Sequence, residues 1–375
     1  MDAEGRALRL FGESFTGAPT HVVRAPGRVN LIGDHTDYND GFALPMAVDR
    51  ATWIALRPRG DRRVGLVSES YSPARLDLDR LDHTGPLWAQ FVGGVAWALD
   101  AGAAAGWDGA IATDIPVGAG LASSAALELA AARAFSVASG ADWDPVEAAR
   151  VGRRAEVEWV GMACGIMDQL TVACAEEGHA LFLDCRSLAF QPRPIPAGAT
   201  VVVLDTGTRR RLVASAYNQR RAACEEAAAW LGAATLRDAG EDDLGRLPPG
   251  ELLRRARHVV TENARTVAAA EAMERADAPH LGALMVASHR SLRDDFEVSS
   301  PALEAMVSAA LAAPGCLGAR MTGAGFGGCA VALVESASAE RFIGSVLGAY
   351  ALACGEATPA AFPSLPAAGV DCREL

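Results

Sequence analysis

Strand-like and helix-like segments follow one another in this sequence without a regular alternation. Residues 22–30, 43–56 and 109–115 have the apolar patterning of strands, and the first two contain breaks at Pro26-Gly27 and Pro45. Residues 123–138 are rich in Ala, Leu and Glu and predict a strong helix with a serine at its start. Because the order lacks the strand–helix–strand repeat of a parallel α/β protein, it predicts an α+β fold.

A proline-rich stretch divides the chain near its middle. Residues 191–196 read Gln-Pro-Arg-Pro-Ile-Pro, which is the most linker-like composition in the sequence. At about 150 residues per domain, a chain of 375 residues suggests two domains. We therefore expect one domain over residues 1–190 and a second over residues 197–375.

The charge balance argues against nucleic-acid and membrane partners. The net charge is −12, and no basic tail or stripe is present, whereas nucleic acids and anionic membranes bind clustered cations. No apolar run reaches the roughly 18 residues of a membrane span, and the first residues lack the pattern of a signal peptide. The eight cysteines have no zinc-binding spacing and are typical of reduced thiols. We therefore expect a cytoplasmic protein.

The sequence contains no lysine, so all 34 basic side chains of the Lys and Arg class are arginines. Walker P-loops and protein kinases need a lysine at the phosphates, and pyridoxal and Schiff-base enzymes need a lysine amine. Those classes are excluded. A chain of this composition that handles phosphate must use backbone N–H groups, a helix N-terminus, arginine or a metal ion.

A glycine-rich loop precedes the strongest predicted helix. Residues 116–125 read Pro-Val-Gly-Ala-Gly-Leu-Ala-Ser-Ser-Ala. Glycines let the backbone approach a ligand closely, and the first N–H groups of the helix favour a phosphate. Ser123 and Ser124 could also ligate Mg²⁺. By itself, however, this pattern favours an ordinary loop with a serine cap.

A second glycine-rich segment, residues 323–328, has the spacing Gly-x-Gly-x-x-Gly. A dinucleotide-binding motif would be followed by a helix, but residues 329–334 read as a strand. We therefore reject a dinucleotide site and predict a tight turn.

Polar residues are concentrated in residues 28–41, between two apolar stretches. Asp34, His35 and Asp37 could hydrogen-bond a polyhydroxyl ligand or bind a metal. Turns rich in Asp and Asn are common, and the spacing alone favours that simpler interpretation.

A carboxylate also lies inside the apolar segment of residues 164–169, at Asp168, with Glu156 twelve residues before it. Such a group needs a partner or a function. A helix cap after Gly165 is the simpler alternative.

Together these segments resemble the GHMP sugar kinases, and specifically the galactokinase family. Residues 27–38 resemble the galactokinase signature over its whole length, residues 118–126 resemble the glycine-serine phosphate loop, and residues 164–169 resemble the segment with the catalytic aspartate. Residues 288–298 and 319–329 resemble later segments. The matches occur in the order of the family and outweigh the simpler interpretations of the loop, the polar stretch and Asp168.

The resemblance implies a two-domain GHMP-kinase-like α+β fold with ATP and sugar in the cleft between the domains. Its motifs place Arg28 and Asp168 as catalytic residues at the anomeric hydroxyl, with Asp168 as the general base. The other sugar hydroxyls would be bound by Asp34, His35, Asp37, Gly165 and Tyr217. The ATP phosphates would be bound by Gly118, Ala119, Gly120, Leu121, Ala122, Ser123 and Ser124. Mg²⁺ would be ligated by Ser123 or Ser124 together with Glu156.

The implied reaction is the phosphorylation of galactose by ATP to α-D-galactose 1-phosphate. Asp34 stands where many family members have Glu, and Ala122 replaces a frequent Ser. A kinase for N-acetylgalactosamine, arabinose or another sugar is therefore the first alternative. A non-catalytic sugar sensor is the second, and the intact Ser123, Ser124 and Asp168 disfavour it.

Overall fold

The computed structural model describes residues 1–100, 104–209, 213–355 and 358–375, and it contains both helices and mixed sheets. The strands are β1 (His21–Ile32), β2 (Phe42–Pro58), β3 (Arg63–Ser68), β4 (Ala74–Asp77), β5 (Trp107–Thr113), β6 (His179–Asp184), β7 (Phe190–Pro194), β8 (Ala199–Asp205), β9 (Cys316–Met321), β10 (Cys329–Glu335), β11 (Ala360–Ser364) and β12 (Asp371–Glu374). The helices are α1 (Ala3–Ser14), α2 (Leu87–Ala98), α3 (Ser123–Ser139), α4 (Pro145–Arg154), α5 (Met167–Cys174), α6 (Val213–Leu231), α7 (Glu251–Glu274), α8 (Ala278–Asp294), α9 (Pro301–Ala312) and α10 (Ala339–Cys354). The predicted α+β class is confirmed.

The larger sheet has the order β12-β1-β2-β5-β3-β4, and β6 joins it through β2. Strand β1 does not turn at Pro26-Gly27 as expected, because a shift in its register with β2 between Pro26 and Arg28 absorbs the irregularity. A Cβ at Gly27 would lie 2.8 Å from the carbonyl oxygen of Leu121. Glycine therefore lets the phosphate loop approach β1 closely, beside Arg28.

The smaller sheet has the order β11-β8-β10-β9, with antiparallel pairing throughout. Its apolar side chains, among them Val202, Leu204 and Ala332, pack with Met306 and Phe342 of α9 and α10. The segment of residues 323–328 forms the predicted turn between β9 and β10, so the rejection of a dinucleotide motif is confirmed by the strand that follows it.

The proline-rich stretch is part of a strand. Most of it lies in β7, which pairs with β6 alone among the described strands, and prolines suit such an edge strand. The end of the chain also returns to the larger sheet, where β12 pairs with β1 from Arg24↔Asp371 to His21↔Glu374.

Residues 145–159 have the periodicity of an amphipathic helix, and the structure changes helical geometry within that range. It is α-helical to Arg154 and continues as a π-helical segment over Ala155–Val160, which carries Glu156. Such π-helical turns are frequent at functional sites.

None of the described helices is long and apolar enough to cross a membrane. All eight cysteines are free thiols.

Candidate active site

A cavity of about 560 Å³ lies where three segments meet. They are the signature loop (residues 33–41, between β1 and β2), the phosphate loop (residues 118–126) and the start of α5. Almost every site residue expected from the sequence lines it. These residues are Arg28, Asp34, His35, Asp37, Gly118, Gly120, Ala122, Ser123, Ser124, Glu156, Gly165, Asp168 and Tyr217. Segments that are far apart in the chain are therefore brought together as the family resemblance implied.

Two residues of the phosphate loop have a different placement. The side chains of Ala119 and Leu121 are buried in the apolar core. The carbonyl oxygen of Ala119 accepts a hydrogen bond from the Cys329 amide at 3.0 Å, and that of Leu121 accepts one from the Arg28 amide at 3.1 Å. These residues anchor the loop, and its glycines and serines face the cavity.

Helix α3 directs its N-terminus toward this cavity. Ser123 is the first helical residue and not the N-cap, which is Ala122 in a left-handed conformation with φ of 58°. Ala122 has no side chain that could cap the helix. The first N–H groups of α3 and its positive dipole end therefore remain available to an anion, in a loop where Gly118 and Gly120 also have positive φ.

Arg28 and Asp168 form a bidentate ion pair. The Nε and Nη2 atoms of Arg28 each donate to a different oxygen of Asp168 at 2.7 Å. The remaining nitrogen, Nη1, donates to the carbonyl oxygen of Gly120 at 2.6 Å. Arg28 is buried, whereas 28% of the Asp168 side chain is exposed. The carboxylate can thus meet a ligand in the cavity.

Glu156 is held within a group of buried polar side chains. Its Oε2 accepts a hydrogen bond from Gln169 Nε2 at 2.7 Å, and the same nitrogen donates to Glu128 Oε2 at 3.0 Å. The Glu156 carboxyl also interacts with the hydroxyl of Ser124. Burial and then the neighbouring Asp168 carboxylate raise the pKa of Glu156. Burial and then the Glu156 carboxylate raise the pKa of Glu128.

Asp34 has both carboxylate oxygens engaged by other side chains. Arg320 Nη2 donates to one oxygen at 2.5 Å, and Asn30 Nδ2 donates to the other at 3.0 Å. Arg320 is fully buried. Burial raises the pKa of Asp34, and the charge of Arg320 opposes that effect.

Asp37 packs against Gly165, where a Cβ would overlap the Asp37 carboxylate. Burial and then the Asp168 carboxylate raise the pKa of Asp37 to about 6. His35 has a left-handed backbone with φ of 63°, and its Nδ1 lies 2.9 Å from the Tyr38 hydroxyl. The ring of Tyr217 lies 5.5 Å from that of His35, so α6 completes this wall.

Buried residues of α7 hold the signature loop in place, and no motif in the sequence marks them as site residues. Glu262 accepts from the Gly33 amide at 3.0 Å, Asn263 accepts from the Phe42 amide at 2.9 Å, and His258 lies 3.1 Å from the Asp34 carbonyl. The i,i+4 spacing of His258 and Glu262 on one helix face was the available signal. The partners of all three residues, however, lie more than 200 residues away in the chain. Arg320 likewise lies 286 residues from Asp34. Gln169 is only 13 residues from Glu156 and 41 from Glu128, but no motif marks these buried contacts.

Models of three protein families match this chain. They describe the galactokinase galactose-binding signature (residues 9–58), the GHMP kinase N-terminal domain (residues 90–176) and the GHMP kinase C-terminal domain (residues 269–351). Galactokinase of Chloroflexus aggregans is 48% identical over 96% of both chains, and that of Chloroflexus aurantiacus is 49% identical over 92% of both. The chain belongs to the galactokinase family of GHMP kinases.

A solved member of this family has the same fold. The crystal structure of Lactococcus lactis galactokinase complexed with galactose superimposes with a TM-score of 0.92, at 31% identity over 97% of this chain and 98% of that one. A mevalonate kinase of 18% identity has a TM-score of 0.66, which shows the wider GHMP fold. The resemblance inferred from the sequence is therefore confirmed.

Proposed function

We propose that this galactokinase-family enzyme transfers the terminal phosphoryl group of ATP to the anomeric hydroxyl of galactose. The products are α-D-galactose 1-phosphate and ADP. The observation that carries this assignment of the site is the Arg28–Asp168 ion pair, which lies in one cavity with the start of α3 and with the signature loop. A base, a phosphate-binding helix end and a hydroxyl-binding wall are thus adjacent.

The ATP phosphates bind at the start of α3. Gly118, Gly120 and Ala122 keep the backbone close to the cavity, and Ser123 and Ser124 add hydroxyl groups. The helix end supplies N–H donors and partial positive charge, which replace the missing lysine. Leu87 and Val117 add exposed apolar surface at the same cavity, where it suits the adenine ring.

Arg209 contributes less positive charge to the cavity than its position suggests. Arg209 lines the cavity, but its guanidinium is paired with both oxygens of Asp205 at 2.8 and 2.9 Å. Arg210 and Arg211 lie outside the described residues.

The donors near Ser124 fit Mg²⁺. No described group of three or more His, Cys, Asp or Glu side chains could hold a metal by itself. Mg²⁺ commonly binds through one or two carboxylates together with substrate phosphates, and Glu156 with Ser123 or Ser124 provides such a set. When bound, the ion neutralises charge on the phosphates. The hydrogen bond from Gln169 then keeps the Glu156 carboxylate at the cavity that holds the nucleotide.

Asp168 accepts the proton of the anomeric hydroxyl as that oxygen attacks phosphorus. Both of its oxygens hold Arg28, yet each carboxylate oxygen has a second lone pair for the sugar. Arg28 fixes the orientation of Asp168 and stabilises charge that develops beside it.

The other sugar hydroxyls are recognised by Asp34, His35, Asp37, Tyr217 and the backbone at Gly165. Each side chain is held by neighbours, so its hydrogen-bonding directions are set before the sugar binds. A hydroxyl that cannot return these bonds leaves buried polar groups unpaired.

The test is a panel of sugars with ATP and Mg²⁺, followed by identification of the phosphorylated carbon. We expect ADP release with galactose, phosphate on the anomeric carbon, and a much lower kcat/KM for glucose. Equal efficiency on both sugars would refute the proposed recognition, and a lack of ADP release with sugar binding intact would favour a sensor. Preference for N-acetylgalactosamine or arabinose would favour a related sugar kinase.

A further inference from the structure

A second cavity, of about 740 Å³, adjoins the signature loop. It is bounded by the end of α4, the turn between β6 and β7, and one face of α6. Asp37 lines both this cavity and the sugar cavity. Five arginines line it, against four carboxyl groups, in a chain with a net charge of −12. The arginines are Arg150, Arg153, Arg154, Arg186 and Arg221.

Three of these arginines are engaged with carboxylates. Arg186 Nη1 lies 2.8 Å from Asp238 Oδ1, and Arg221 Nε lies 2.8 Å from Glu225 Oε1. Arg154 makes a longer pair with Glu158, at 3.5 Å. The positive charges of these three guanidinium groups are therefore paired with carboxylates of the protein itself.

Arg153 and Arg150 are different. Arg153 makes no hydrogen bond or ion pair with any residue that the structure describes, and its Nε is buried without a partner. Arg150 has only a distant contact among the described residues, 3.7 Å from Glu147. Arg153 as a whole is only partly buried, but its Nε has lost contact with water and has no replacing acceptor among the described residues, which is costly for a guanidinium nitrogen.

The helix dipole does not supply that acceptor. Arginines in the last turn of a helix often interact with its free carbonyl groups. Here α4 runs directly into the π-helical segment Ala155–Val160, so its backbone continues as a helix beyond Arg153. A role in capping α4 therefore does not explain the position of Arg153.

We propose that this arginine cavity binds an oxyanion of the phosphate class, at a site separate from the phosphate loop. The planar guanidinium fork matches two oxygens of a phosphate, and Arg150 lies one helical turn from Arg153 on the same side of α4. The volume admits either free phosphate or the phosphate group of a sugar phosphate.

Equilibrium dialysis with inorganic phosphate tests this site. Galactose and a non-hydrolysable ATP analogue are kept at saturating concentrations so that the first cavity, including its terminal-phosphate position, is filled, and ionic strength is held constant. We expect the parent chain to bind one phosphate and Arg153→Gln to bind it at least about tenfold more weakly, since a charge-assisted bond is lost. Arg9→Gln, which removes an exposed charge on α1, is the matched control and should bind as the parent does.

Galactose binding and turnover in phosphate-free buffer check that Arg153→Gln is folded, because Arg153 is outside the catalytic site. Should this variant fail to fold, Arg150→Gln tests the same cavity from an exposed position, and weaker phosphate binding is again expected. A hexose 6-phosphate that displaces the bound phosphate at lower concentration identifies a sugar phosphate as the better ligand. The proposal is overturned if the parent binds no phosphate under these conditions, or if the folded variants bind it as tightly as the parent.

Discussion

Arg28 connects Asp168 to the phosphate loop through a single guanidinium group. Two of its nitrogens donate to the Asp168 carboxylate at 2.7 Å, and the third donates to the Gly120 carbonyl at 2.6 Å. The proposed base and the proposed phosphate site are therefore fixed relative to each other by one buried side chain. Since phosphoryl transfer depends chiefly on positioning and charge, this connection gives Arg28 two roles.

Asp168→Asn should leave binding nearly intact and slow the reaction. The amide keeps the size of the side chain but loses its charge and basicity. Turnover should fall by about two orders of magnitude or more, the usual effect of losing a general base. Single-turnover phosphorylation at saturating galactose and ATP measures this directly. A rate within a few fold of the parent's would mean that Asp168 is not the base.

Arg28→Lys should also be harmful, because one ammonium cannot reproduce three donors in a plane. Asp168 would then be less well oriented and the Gly120 contact would be lost. Since both residues act on one proton and one developing charge, the effects of Arg28→Lys and Asp168→Asn should not add. Comparing kcat of the double variant with the two single variants measures the coupling. Full additivity would indicate independent roles.

Site residues inside local motifs could be predicted from the sequence, whereas their distant partners could not. Arg28, Asp37 and Asp168 could be assigned because the motifs that contain them are local. Arg320 could not be paired with Asp34, since the two are 286 positions apart and only the fold brings them together. Gln169 follows Asp168 directly in the sequence, yet it faces the core, where it holds Glu156.

Local irregularities account for the errors in secondary structure. Pro45 was expected to break its strand, but it lies opposite Asn30 next to a shift in register, where a missing N–H is tolerated. The helix over residues 145–159 was expected to be regular, because apolar periodicity does not distinguish an α-helix from a π-helical turn.

Gln169→Leu should weaken the proposed metal site without abolishing sugar binding. The variant removes the amide that holds the Glu156 carboxylate at 2.7 Å. Mn²⁺ affinity of the nucleotide complex should fall about 10- to 100-fold, the usual effect of losing a residue that orients a ligand. Electron paramagnetic resonance of free Mn²⁺ measures this without reference to turnover.

Thr171→Val is the matched control for Gln169→Leu. It removes a buried polar group from the same helix, where the Thr171 hydroxyl donates to the Met167 carbonyl at 2.6 Å and does not contact Glu156. This variant should change stability while leaving Mn²⁺ affinity unaltered. If both variants lowered Mn²⁺ affinity equally, the effect would come from α5 as a whole and not from Gln169.

Asp37→Asn should stabilise the free protein at neutral pH while weakening galactose binding. The folded state holds the Asp37 proton up to a pKa of about 6, whereas an unfolded aspartate releases it near pH 4. The free energy of unfolding of the parent, relative to that of the variant, therefore increases as the pH falls from about 6 to 4. This increase is lost again as the pH rises through 6. Above that window the variant should be more stable by about 1–3 kcal/mol.

Urea denaturation of parent and variant from pH 4 to 8 measures the difference for Asp37→Asn. Asp142→Asn, the same substitution at an exposed position, is the matched control. A difference between Asp37→Asn and the parent that is constant over this range would contradict the shifted pKa of Asp37.

Arg320→Met should destabilise the fold strongly, because it leaves the Asp34 carboxylate buried without its cationic partner. Both side chains are almost completely inaccessible, with side-chain exposure of 0% and 2%. Breaking a buried pair by removing one partner typically costs about 3–5 kcal/mol. The double variant Asp34→Asn/Arg320→Met removes both charges and should recover part of the loss, although galactose binding stays impaired. Urea unfolding of the two single variants and the double variant forms a cycle that measures this interaction. A double variant as unstable as the sum of the single variants would show that the ion pair does not couple the two residues, and that Arg320 stabilises the fold through its packing alone.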